Sequence, residues 1–301
     1  MRVTSLALVV AGLAAVLGGC GGGGSDLPLI PEDAADKVIL VGWDGVQREH
    51  LQEMVARNEV PVLMGLAAQG ALVDIDITQG RTDTKCGWAQ ILTGYRPDIT
   101  RVHTNKRFAP IPQGLTVFER LEKYRGPDIF TGAVVAKKRH IDNEPEGTPY
   151  SLTQHNMDLF INGLHDWPVV LQEALAQLDL HAQGDFFLFV HFYEADNAGH
   201  IYGENSVEYE AAIRQMDAAT GQLLDKLADL GIAEETLVYI TADHGFDEGL
   251  TSHTYAPHIF LATNDPEVEG PGDRLDIGPT ILDRFGIPLQ ILRPRLDGRA
   301  L

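Results

Sequence analysis

Cysteine is nearly missing from this chain of 301 residues, which holds only two, Cys20 and Cys86. A disulfide-stapled scaffold is thereby excluded, and stability has to come from packing or from bound metal. Basic residues are scarce too, with 23 Lys and Arg against 43 Asp and Glu, a formal net charge of −20. Such a surface repels phosphates over most of its extent, which argues against nucleic acid as a stable partner. Internal repeats are absent, as is any low-complexity tract beyond one run of glycines at 21–24, so a solenoid is excluded. Apolar runs of membrane-spanning length are lacking as well. The longest, LALVVAGLAAVLGG near the start, is too short. What the chain does have is length, enough to bury a sizeable core as one large α/β domain without a second.

The beginning of the sequence has its own logic. Arg2 precedes the apolar stretch, which ends at Cys20, the pattern of an export signal. Residues Leu17-Gly18-Gly19-Cys20 resemble the lipobox of bacterial lipoproteins, where the chain is cut before the cysteine and the thiol receives a lipid. The expected organisation is a signal peptide over 1–19, a lipidated tether over 20–36 opening with GGGGSDLP, and a folded domain over 37–301. The expected location is the bacterial cell envelope, as an exported lipoprotein held to a membrane by its N-terminal lipid. An ordinary secretory signal or anchor is the alternative. With Cys20 lipidated, Cys86 has no intramolecular partner.

Short branched apolar runs alternate with amphipathic stretches along the rest. KVILVGW (37–43), GAVVA (132–136), FFLFVHF (186–192), LVYIT (237–241) and HIFLA (258–262) read as buried parallel strands. Between them REHLQEMVARN, LTVFERLEKY, PVVLQEALAQLDL and SVEYEAAIRQMDAATGQLLDKLADLG carry helical spacing, the last closed by Gly231. This predicts an α/β fold: a doubly wound, mostly parallel sheet with helices on both faces, in three layers. In such sheets functional side chains collect beyond the carboxyl ends of the strands. Standing there are Asp44, then Asp196 and His200, then Asp243 and His244, with His253 just before the last strand. Each has a bland reading as a turn, a helix cap or a surface histidine. Their joint occurrence after successive strands is unexplained by those readings. Three carboxylates and three imidazoles are the number and kind of donors that two divalent ions of the Zn²⁺ type require, with Mn²⁺ the alternative.

The order Asp44, a hydroxyl-bearing loop, Asp196-x-x-x-His200, Asp243-His244 and His253 resembles the alkaline phosphatase superfamily. The likeness is strongest to its type I phosphodiesterase/nucleotide pyrophosphatase and sulfatase-like branches. VILVGWDGVQREHL resembles the first metal motif of the phosphodiesterases and ILTGYRPD the segment after their nucleophile, while DIGPTILDRFGIP and LDGRAL resemble the sulfatase-like C-terminus. The resemblance implies one ion held by Asp196, His200 and His253. It implies a second held by Asp44, Asp243 and His244 and touching the nucleophile. His258 competes with His253 for the last ligand position, and HTYAP favours His253.

The loop GRTDTKCGWAQILTG offers Thr82, Thr84 and Cys86. The resembled families place the nucleophile ten residues before the glycine of a Thr-Gly pair, here Gly94, which selects Thr84. A threonine hydroxyl needs a metal to lower its pKa, and attack on phosphorus then gives a covalent phospho-threonine. Cys86 falls two positions late for the sulfatase cysteine and lacks that sequence's proline and arginine, so a structural role is expected of it. Where the pyrophosphatases carry asparagine the chain has Gly87, and where they carry an aromatic it has Lys85, a candidate for contact with a substrate oxygen. In AKKRH, Lys138 and His140 resemble the lysine and histidine that hold sulfate in sulfatases. A solvated basic loop is the alternative reading. The expected activity is hydrolysis of a small phosphate ester. A sulfatase or phosphonate hydrolase on the same scaffold, or a catalytically silent surface-binding lipoprotein, stands as the alternative.

Overall fold

A computed structural model describes residues 29–138 and 157–301. The expected signal peptide, Cys20 and His140 lie outside the described residues. In chain order the elements are β1 (Lys37–Trp43), α1 (Arg48–Ala56), α2 (Pro61–Ala67), β2 (Ala71–Asp76), α3 (Thr84–Ile91), α4 (Pro97–Thr100), α5 (Val117–Arg125) and β3 (Phe130–Val135). Then follow β4 (Leu159–Ile161), α6 (Trp167–His181), β5 (Phe186–Phe192), α7 (Glu194–Tyr202), α8 (Val207–Asp229), β6 (Thr236–Thr241), β7 (His258–Thr263), β8 (Gly272–Asp273) and α9 (Ile277–Arg284).

The strands form one eight-stranded sheet in the order β4-β3-β5-β1-β6-β7-β2-β8. β1 lies at its centre, hydrogen-bonded in parallel to β5 on one side and β6 on the other. Every residue of β5 is buried, and so is every residue of β1 after Lys37. That burial is why these strands read as unbroken apolar runs. One helical layer contains α2, α6 and α8, and the other contains α3, α5 and α9, giving the three-layer α/β arrangement expected. Helix α8 starts at Ser206, whose hydroxyl accepts from Tyr209 N, and stops before Gly231, whose φ of +74° suits a residue without a Cβ.

The sheet departs from expectation on one flank. β7 runs antiparallel to β6, and β2 antiparallel to β7. A parallel return needs a crossover helix, and residues 242–257 between β6 and β7 contain none. The chain turns back directly instead, and that returning loop carries Asp243, His244 and His253. At the other end of the polypeptide the backbone is on the domain before β1 begins: Ala35 N donates to Arg284 O at 2.7 Å. No helix among the described residues is long and apolar enough to cross a membrane.

Candidate active site

Asp44 follows β1 directly and is held by its own backbone, its N–H donating to Phe192 O at 3.0 Å while its C=O accepts from Asp196 N at 3.1 Å. The next residue has to be glycine. Gly45 sits at φ +75°, and a Cβ there would come within 2.9 Å of the Asp196 Cα. Asp196 and His200 lie on α7, so their four-residue spacing is one turn of a helix and places both on one face. Asp243 and His244 leave β6, and the Asp243 carbonyl accepts from the buried Arg274 guanidinium at 2.5 Å. Thr84 is the first residue of α3.

Two ligand groups result. Asp44, Asp243 and His244 form one, fully buried; Asp196, His244 and His253 form the other. His244 thus belongs to both: its Nε2 lies 3.4 Å from Asp243 and 3.7 Å from both Asp44 and Asp196. His200 is the flank of the second group, its Nε2 3.5 Å from Asp196 Oδ1 and its side chain 46% exposed. The expected trio of Asp196, His200 and His253 is therefore regrouped, with His244 nearer the middle than His200. His258 lies elsewhere, its Nδ1 2.9 Å from both Asp76 and Arg48. The structure thus brings His253, and not His258, to the centre.

The tautomers are set by carbonyls, which accept but never donate. Nδ1 of His244 faces Gly245 O at 2.9 Å, that of His253 faces Thr82 O at 2.5 Å, and that of His200 faces Thr251 O at 3.0 Å. Each Nδ1 carries the proton, leaving each Nε2 a lone pair for a metal. Burial, and then the neighbouring His253, hold His244 well below the ordinary histidine range, so it is a neutral donor. Among the carboxylates, Asp196 Oδ1 and Asp243 Oδ2 are buried and accept no hydrogen bond from any described residue. Burial and the adjacent Asp44 push the Asp243 carboxyl well above the usual range. Orphaned carboxylate oxygens beside unprotonated imidazole nitrogens are a donor set that fits a divalent cation of the zinc kind.

Three residues at the centre were not foreseen. Lys137 is buried, its Nζ 2.8 Å from Asp44 Oδ1, 2.6 Å from Asp196 Oδ2 and 3.4 Å from Thr84 Oγ1. Burial alone would lower its pKa, but the Asp196 and Asp44 carboxylates overcome that and keep it protonated. This corrects the assignment of Lys138, which is exposed: past the end of β3 the first lysine turns inward and the second outward. His191, in β5, donates from Nε2 to Asp44 Oδ2 at 2.9 Å and is kept neutral by burial. Burial also raises Asp44, yet the Lys137 charge and the His191 hydrogen bond win, and its carboxyl lies well below the ordinary range. The signal for His191 was one polar residue inside an otherwise apolar strand. Arg274 ties the nucleophile loop to the metal loop, donating to Arg81 O, to Asp243 O and to the Gln90 side chain.

Among the remaining candidates, the Lys85 ammonium stands 3.9 Å from the centroid of Phe108. Cys86 is buried with its sulfur 3.8 Å from Arg274, and it belongs to neither ligand group. Gly87 replaces an expected asparagine for a steric reason, because a Cβ there would fall 2.7 Å from that of Asp243. A cleft of about 460 Å³ opens beside the centre, lined by Arg81, Thr82, Asn105, Lys106, His200 and His253 among others.

Comparison with known proteins places the chain in a family. The sequence model of the type I phosphodiesterase / nucleotide pyrophosphatase family matches residues 38–281. Ectonucleotide pyrophosphatase/phosphodiesterase family member 1 of Mus musculus is 25% identical over 271 residues, covering 83% of this chain but 29% of that protein. Choline-sulfatase of Rhizobium meliloti is 27% identical over 165 residues, 51% of this chain and 32% of the relative. The chain thus spans less than a third of the length of these relatives. Among solved structures, murine ectonucleotide pyrophosphatase/phosphodiesterase 5 in complex with AMP superposes with a TM-score of 0.62 at 13% identity, covering 84% of this chain and 96% of that one. The phosphonate monoester hydrolase of Silicibacter pomeroyi gives 0.60 at 16% identity, over 88% and 77% of the two chains. At those identities the structures speak for the fold. The family match runs from β1 through most of α9 and takes in Asp44, Thr84, Asp196, Asp243 and His253, so the chain belongs to the type I phosphodiesterase/nucleotide pyrophosphatase family of the alkaline phosphatase superfamily.

Proposed function

We propose that the protein is a divalent-metal-dependent hydrolase of small phosphoric esters, of the phosphodiesterase or phosphatase type, that works through a covalent phospho-Thr84. The observation that carries this is the placement of one hydroxyl. Thr93, Thr220, Thr236, Thr241 and Thr280 are buried and each donates to a backbone carbonyl. Thr84 is equally buried, yet its Oγ1 faces His244 Nε2 at 3.3 Å and Lys137 Nζ at 3.4 Å. A packing threonine needs no such company; a nucleophile does.

Asp44, Asp243 and His244 would hold one ion, with Asp196, His253 and the flanking His200 available for another, so two is the upper bound the donors set. Zinc suits the mixture of imidazole and carboxylate, and manganese is the alternative. A bound divalent ion would supply the positive charge that acidifies the threonine hydroxyl and offsets charge developing on phosphoryl oxygens. The chain's own residues do the rest. Thr84 sits at the first turn of α3 with its hydroxyl toward His244, and Lys137 donates to the same oxygen, favouring its ionised form. Oγ1 bonds to phosphorus as the ester oxygen leaves with the threonine's proton, and water then cleaves the bond to Oγ1, restoring the hydroxyl and releasing phosphate, or a phosphate monoester where the substrate was a diester. Arg81 and Lys106 outnumber Asp83 in the lining of the cleft, a local positive excess in a chain of net charge −20, which favours entry of an anionic ester.

The envelope location belongs to the same proposal: Cys20 carries the lipid and tethers the domain to a membrane, and Cys20→Ala is expected to release it. The activity is tested with a panel of aryl phosphate monoesters, diesters, phosphonates and sulfates on metal-loaded protein. Turnover led by phosphate esters and lost on chelation is expected. Turnover led by sulfates or phosphonates would replace this reading by one of those classes, and none at all would leave a silent binding lipoprotein.

A further inference from the structure

Lys137 bears on how the centre is charged. Its ammonium lies between Asp44 and Asp196, one carboxylate from each ligand group, at 2.8 and 2.6 Å. Those are contact distances for an ion pair, so the space between the two carboxylates is filled by a cation the chain itself supplies. With Asp243 ionised against a bound cation, the three aspartates contribute three negative charges and Lys137 returns one, leaving two. A single divalent ion neutralises that remainder. Two would leave a net surplus of two positive charges in a site where Asp44, Asp243 and His244 are 0% exposed, and buried uncompensated charge is strongly disfavoured. His244 can serve one ion only; with its Nε2 given to the Asp44 group, the other set keeps Asp196, His253 and a His200 that is 46% exposed.

We propose that the Lys137 ammonium stands in for the second metal, so that the centre takes one divalent ion, held by Asp44, Asp243 and His244. Asp196 then partners Lys137 rather than a metal, and His253 and His200 line the cleft. The lysine is tethered to the end of β3 and cannot diffuse away, which gives a permanent cation beside Thr84 Oγ1. The inference rests on the metal-dependent reading above only in needing one ion to be bound.

The test is a count. Full-length protein is stripped, titrated with Zn²⁺ by calorimetry, and its metal content measured by elemental analysis, for the wild type, Lys137→Met and His253→Ala. One ion per chain is expected in the wild type and in His253→Ala. Two are expected in Lys137→Met, where the charge is gone and the stem is kept. Two tightly held ions in the wild type would overturn the inference, as would a single ion in a folded Lys137→Met. Should Lys137→Met fail to fold, His253→Ala decides alone: loss of the one ion would place it in the Asp196 group and contradict the assignment. No ion in any variant would overturn the metal-dependent function itself, an outcome distinct from a count of two.

Discussion

Two buried clusters in this molecule are built around aspartate and satisfied in opposite ways. Near the end of β7, Asp265 accepts from Tyr239 Oη and Arg284 Nε, each at 2.7 Å, through one oxygen and from Glu267 N at 2.9 Å through the other. Every polar atom of that carboxylate has a partner, and its work is to join β6, β7 and α9. Around Thr84 the carboxylates of Asp44, Asp196 and Asp243 share one ammonium, one imidazole, the Trp88 indole and the Gly45 N–H, and two of their oxygens are orphaned. Buried polar groups are ordinarily paired, so a carboxylate left unpaired in an otherwise well-packed domain marks a place for something the chain does not supply. The complete cluster holds the fold together, whereas the incomplete one is kept at some cost to it.

That contrast can be broken by substitution. Asp265→Ala would remove the shared acceptor of the buried Tyr239 hydroxyl and Arg284 Nε, two hydrogen bonds to a charged group, and should cost about 3–5 kcal/mol, read by denaturant unfolding, with metal content unchanged. Asp243→Asn should behave in reverse, losing metal while the metal-free protein unfolds no more easily than the wild type. Equal stability losses at both positions would erase the distinction. Next in size is the effect of the ion. Chelation should abolish turnover, and restoring metal at 100 times its dissociation constant should recover about 2.7 kcal/mol of stability, seen as a rise in melting temperature. Smaller again is Gly87→Asn, which restores the residue expected of the family into a space lacking room for a Cβ. Overpacking against Asp243 should cost about 1–3 kcal/mol and lower turnover more than global stability alone explains.

The smallest effect concerns His50, a histidine outside the centre. Burial lowers its pKa, but its 2.5 Å contact with Glu204 more than reverses this, so the folded value lies above the ordinary 6.5. A raised folded pKa means that the pair's contribution is complete below about pH 6.5 and is lost as pH rises through the folded value. Glu204 also accepts from Gly249 N at 2.9 Å, in the loop whose Thr251 carbonyl orients His200. Unfolding free energy should decline with rising pH across that window in the wild type and stay flatter in His50→Gln. Identical pH profiles would remove His50 from the account.

How much of this was legible beforehand follows from burial. The central strands are buried on both faces, and their apolar runs gave them away. β2, with alternating burial and Asp74 and Asp76 within it, lacks such a run and went unseen. Helix α3 is buried at all eight positions, so it has no polar face and therefore no helical periodicity to read. The sense of β7 was missed because direction is set by the connection rather than by the strand. In the site, no single residue stood out by type, but aspartate and histidine recurring after successive strands did, which is why Asp44, Asp196, Asp243 and His253 could be picked from the sequence. Lys137 could not be told from Lys138 by type. Only the exit angle of the chain from β3 decides which of two adjacent lysines turns inward.

The most direct test of the central claim compares wild-type protein with Thr84→Ala, both loaded to equal metal content, on an aryl phosphate ester. A fall in turnover on the order of 10³-fold or more, with metal content and melting temperature preserved, is the predicted result. Turnover by Thr84→Ala at the wild-type rate would contradict it.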